Sequence, residues 1–76
     1  MRLNIDDIIE LVNGRKYIVV DKLEENNNWY YYVYEVNNNT VLDNSMVVEI
    51  EMKNAKMVIT QTAKKDLEKK FKARIK

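Results

Sequence analysis

Seventy-six residues, 46% hydrophobic and 33% charged, make one small globular domain spanning 1–76 and leave no room for a second. Cys and His are absent and Gly and Ser occur once each, which removes disulfides, thiolate and imidazole chemistry, Cys-based zinc sites and Gly-rich phosphate loops. The formal net charge of +1 hides an asymmetry: residues 1–52 carry four basic groups against ten acids, and residues 53–76 carry nine basic groups against Asp66 and Glu68.

The first element in chain order is a β-hairpin, residues 5–12 and 15–23, across Asn13-Gly14. Asn-Gly is the strongest short hairpin signal, because both central residues of a type I′ turn need positive φ. A two-residue loop pairs Val12 with Arg15, Glu10 with Tyr17 and Ile8 with Val19, and a bulged turn shifts that register by one. Apolar residues fall on both faces, as in strands covered on two sides or wrapped into a barrel.

Glu24 to Asn28 breaks the chain, and residues 29–36 form a third strand of Trp, four Tyr, two Val and Glu35. One face carries Trp29, Tyr31, Val33 and Glu35; the other carries Tyr30, Tyr32, Tyr34 and Val36. After the Asn37–Thr40 turn comes an irregular stretch to Ser45, which fits a loop or a short strand. Residues 46–52 alternate, with Met46, Val48, Ile50 and Met52 on one side and Glu49 and Glu51 on the wet side. A turn at 53–56 leads to a fifth strand, 57–61.

From Ala63 the period becomes helical, with Ala63, Leu67, Phe71 and Ile75 on one stripe and Thr62 as the N-cap. The fold class expected is mostly β (α+β): a five-stranded antiparallel meander over 1–61, or a small SH3-like barrel. A basic amphipathic C-terminal helix, 62–76, packs on it, because an isolated helix of this length is marginal in water.

The run Asp-Ile-Ile-Glu-Leu-Val-Asn-Gly-Arg-Lys-Tyr-Ile-Val-Val, residues 7–20, resembles the opening hairpin of small SH3-like β-barrel proteins, including small bacterial and phage β-proteins. The resemblance implies a fold and no activity, since such barrels serve peptide binding, nucleic-acid binding and scaffolding alike. No site residue is carried over from it.

Two clusters are candidates for binding. Trp29, Tyr30, Tyr32 and Tyr34 can form a partner-binding surface, either a stacking platform or a peptide groove; equally, a short chain needs large rings to fill its core. Lys65, Lys69, Lys72 and Lys76 share one sector of the helical wheel, away from both helix acids. This ridge suits a polyanion such as nucleic acid, and it is also what the outer face of an amphipathic helix ordinarily shows. Glu49 and Glu51 read as solvated, strand-protecting carboxylates rather than a metal or acid–base pair. Neither Ser45 nor any Thr has a His to activate it.

These observations favour a non-enzymatic binding module without cofactor, metal or small-molecule substrate, acting on a protein partner or on itself. Self-association is favoured if strand 46–52 or 57–61 is an open edge. Nucleic-acid binding through the lysine ridge and aromatic strand is the alternative; mimicry of nucleic acid by the acidic body is a third. No segment approaches the roughly 18 apolar residues of a membrane span, and the N-terminus turns acidic by residue six, so a cytoplasmic setting is expected. Ten Asn and ten Lys suggest an AT-rich coding sequence, as in some bacteria, phages and mobile elements.

Overall fold

The computed structural model describes residues 2–62 and 65–74. Five strands, β1 (Ile8–Glu10), β2 (Lys16–Glu25), β3 (Asn28–Asn37), β4 (Thr40–Lys53) and β5 (Lys56–Gln61), pair antiparallel in sequence order. The sheet curls into a half-barrel, and helix α1 (Lys65–Arg74) follows it. The mostly-β architecture with one C-terminal helix is as the sequence predicts. The expected helix termini at Ala63, Lys64, Ile75 and Lys76 lie outside the described residues.

Three of the four hairpins are two-residue loops with positive φ at both central positions: Asn26-Asn27, Asn38-Asn39 and Asn54-Ala55. That is type I′ geometry, whose twist matches the strands it joins, and Asn supplies it with little strain. The Asn13-Gly14 hairpin differs. Gly14 alone takes positive φ, its N–H donates to the Leu11 carbonyl at 2.9 Å, and the Leu11 N–H donates to Arg15 at 3.0 Å. This is a three-residue loop closed by a Gly bulge, so the register is Ile8 with Ile18 and Ile9 with Tyr17, one residue from the two-residue alternative. The first strand is also shorter than 5–12. Asp6, at φ 77, ends the regular ladder before Ile8, and Ile5 and Val12 are exposed.

Each sheet face carries a core, which explains the two-sided apolar pattern of β2, while Ile8 of β1 is left exposed. Inside the curl, Ile9, Tyr17, Val19, Tyr31, Val33 and Val48 form one core, with Trp29, Met46, Ile50 and Ile59 packed against it. On the outer face Tyr30, Tyr32 and Val47 form a second core with Leu67 and Phe71 of α1. A bulge at Val20 shifts the pairing from Val19 with Val33 to Asp21 with Tyr32, so Leu23, opposite Tyr30, joins Val20 on the outer core instead of staying in step with Val19 on the inner one.

The helix is also held by charge. Lys70 bonds Glu25, and Arg74 meets Asp21 at 3.3 Å and donates to the Lys22 carbonyl at 3.4 Å. The acidic body and the basic helix therefore attract each other across the docking face.

Candidate functional site

The two sequence candidates meet at one place. Stretch 40–45, irregular in sequence, belongs to β4 and carries a wide bulge: Val36 pairs with Val41 and Tyr34 with Ser45, leaving Leu42, Asp43 and Asn44 opposite Glu35. The excursion opens a cavity of about 460 Å³ lined by Tyr32, Tyr34, Asp43, Asn44, Ser45 and Lys72. The Tyr32 and Ser45 hydroxyls hydrogen-bond at 2.8 Å, and Asn44 donates to Glu35 at 2.8 Å. A hydrogen bond with Tyr32, helped by burial and by the Asp43 charge, raises the pKa of the Tyr34 phenol and keeps it neutral. Hydrogen bonding to Glu68 at 3.0 Å raises that of Lys72 and keeps it cationic. The hydroxyls of Tyr32, Tyr34 and Ser45 thus share this cavity with the side chains of Lys72 and Asp43. Its weakness in sequence terms is that Asp43, Asn44 and Ser45 show only as lost alternation.

The aromatic surface is otherwise closed, which corrects the platform expected from sequence. Tyr30 and Tyr32 are 2% and 1% exposed beneath α1 and cannot stack on a ligand; Tyr34 is half-buried at the cavity rim. Trp29 is half-buried on the inner face, with the Arg2 guanidinium 4.7 Å and the Lys22 ammonium 5.5 Å from its ring centroid. Large rings were needed for two cores, one on each face of a single strand.

The lysine ridge is also altered. Lys65 and Lys69 are exposed, Lys72 is paired with Glu68 rather than left unneutralised, and Lys76 lies outside the described residues. Among the acids of the body, Asp21, Glu25, Glu35 and Glu51 are engaged by Arg74, Lys70, Arg15 and Lys53. No group of three metal-ligating side chains occurs among the described residues.

A second feature lies at the opposite side of the sheet. The β3–β4 ladder ends at Tyr30 with Glu49, so Ile50 to Lys53 pair only with β5. Met52 and Met57 face each other across that projecting hairpin and are 67% and 43% exposed. The sequence places Met52 in the inward stripe; with β3 ended, nothing covers it. Strand β5 has β4 on one side only, and no β5 residue makes a further backbone hydrogen bond among the described residues. It is an open edge, the condition under which the sequence favours self-association.

No protein-family model, no curated protein and no solved structure matches this chain. No helix among the described residues is long and apolar enough to cross a membrane.

Proposed function

We propose that this protein is a non-enzymatic interaction module that takes an extended protein segment onto its β5 edge. The observation that carries the reading is the unprotected state of that edge. Natural sheets blunt their edges with short strands, charges, Pro or bulges. The other edge, β1, is three residues long, carries Glu10 and follows the positive-φ Asp6. Strand β5 is six residues long, unbulged, and charged only at Lys56, with the exposed Met57 on it and the exposed Met52 beside it on β4. Strand addition offers an incoming chain a row of backbone donors and acceptors, and the exposed Met pair offers adaptable apolar contact.

The residue inventory supports the non-enzymatic part, since neither His nor Cys is present. The Asn- and Lys-rich composition supports an origin in a bacterium, phage or mobile element with an AT-rich coding sequence. Nucleic-acid binding draws less support with one ridge lysine engaged by Glu68, and acidic mimicry less with four body acids in ion pairs.

Affinity capture with tagged wild type and with a Met52→Lys/Met57→Lys variant tests the reading. A protein retained by the wild type, its own untagged copy included, and lost by the folded variant is expected. Equal recovery by both, or no retained protein, would overturn it.

A further inference from the structure

Resting on the reading of β5 as an interaction edge, we propose that the segment it accepts is β5 of a second copy, in an antiparallel pair centred on Val58. Two identical strands related by a twofold axis normal to the sheet place residues of the same face opposite one another, so the pair must be centred on a residue. Centring on Val58 sets Met57 against Ile59 of the second copy, and Ile59 against its Met57. The exposed Met52–Met57 pair then continues into the apolar inner face of the other half-barrel, where Ile59 and Ile50 pack on the core.

The outer face agrees. Lys56, Val58 and Thr60 share it with Glu49 and Glu51, because Thr60 pairs with Glu49 and Val58 with Glu51. In the Val58-centred register Lys56 stands opposite Thr60 of the second copy, with that copy's Glu49 one strand further on. The separation is two strand spacings, about 9.5 Å, which an extended Lys and Glu span over a small Thr. Neither Lys56 nor Glu49 makes an ion pair among the described residues of the single chain, whereas Glu51 is already held by Lys53 at 3.5 Å. The register therefore gives both charges a partner twice, once on each side of the axis. Centring on Ile59 instead moves Lys56 beyond the end of the facing strand and leaves Glu49 in line with Val58. The two Lys56 residues stay apart in the Val58 register, about four residues along the strand, so the only charges on β5 do not repel.

Sedimentation across a concentration series and a cysteine probe test this, helped by the absence of native Cys. The wild type is expected to form a reversible dimer. Lys56→Glu is expected to weaken it roughly tenfold by setting Glu against Glu49, and Lys56→Glu with Glu49→Lys to restore it. Opposed Cα atoms in an antiparallel pair lie about 4.5–5.5 Å apart, within the reach of a disulfide. Val58→Cys is therefore expected to oxidise to a covalent dimer, while Val12→Cys, on the exposed Gly14 loop, stays monomeric. The cysteine probe stands even if a charge variant fails to fold. A monomer at all concentrations with no Val58→Cys dimer would overturn self-pairing, as would a charge swap that folds without restoring the dimer. If that monomer still retains a different protein lost by Met52→Lys/Met57→Lys, self-pairing falls and the interaction reading stands; if it retains none, both fall.

Discussion

Phe71 lies flat on Tyr32, with ring centroids 5.4 Å apart and planes 9° from parallel. Tyr34 meets the same Tyr32 edge-on at 5.3 Å and 71°. Through this stack the helix decides the fate of the aromatic strand: α1 turns what would be an open row of phenols into a second core. Both rings of the stacked pair are within 1% of full burial.

Removing Phe71 should therefore cost more than any other single change on the helix. Phe71→Ala is expected to lower unfolding free energy by about 3–5 kcal/mol, the usual cost of deleting a buried aromatic ring. That is a large share of the stability of a domain this small. Urea unfolding followed by far-UV dichroism measures it. A loss below about 1 kcal/mol would mean that the helix does not seal the outer core.

Ala55 occupies the left-handed region at φ 60, beside Asn54 at φ 51, in the β4–β5 turn. A Cβ makes this conformation costly by about 1 kcal/mol or more, and Gly removes it. Ala55→Gly is expected to stabilise the protein by roughly 1 kcal/mol, raising Tm by about 4–8 °C in a domain of this size. Thermal unfolding checks this, and a lowered Tm would contradict the turn geometry.

The Asp21 carboxylate is only 13% exposed where Arg74 meets it, whereas Lys70 and Glu25 are more open at 54% and 35%. A double-mutant cycle with Asp21→Asn and Arg74→Gln is expected to give a coupling of about 1 kcal/mol, against a few tenths for Lys70→Gln with Glu25→Gln. Raising salt from about 0.05 M to 0.5 M should shrink the second more than the first. Equal, vanishing couplings would leave helix docking to Leu67 and Phe71 alone.

Tyr34 binds its proton more tightly in the fold than its ordinary value of 10.0 describes, because of its hydrogen bond with Tyr32 and its burial. Above that value the folded state holds more protons than the unfolded one, so stability falls as pH rises. The contribution is present in full below pH 10.0 and is lost as pH climbs through the raised folded value. Chemical unfolding between about pH 9 and 11 should show a steeper decline for the wild type than for Tyr34→Phe. Identical slopes would contradict the hydrogen bond between Tyr34 and Tyr32.

Local chemistry made much of the fold legible. The strand propensity of residues 29–36, the alternation from Met46 and the helical spacing of Leu67 and Phe71 each follow from neighbours within a few residues. Short-range rules also explain the Asn-rich turns, because positive φ is a property of two adjacent residues. The Asn13-Gly14 loop shows the limit, since one bulge flips every side chain of a strand and the dipeptide fits both registers. The candidate surfaces were less legible. Whether Tyr32 is platform or core depends on where Phe71 lands, 39 positions later in the chain. Asp43 and Asn44 gain a setting only when two extra residues of β4 must arch over Glu35.

By itself, the sequence determined the residue chemistry, the strand and helix periods, the turn-forming positions and the opposed charges of the two chain segments. Tertiary structure decided which aromatic face closes, which lysines are neutralised, and which strand is left with an unpaired side. The reason is physical: propensity and periodicity are set by covalent geometry over a few residues, whereas burial, pairing and edge exposure depend on which distant surfaces exclude water together.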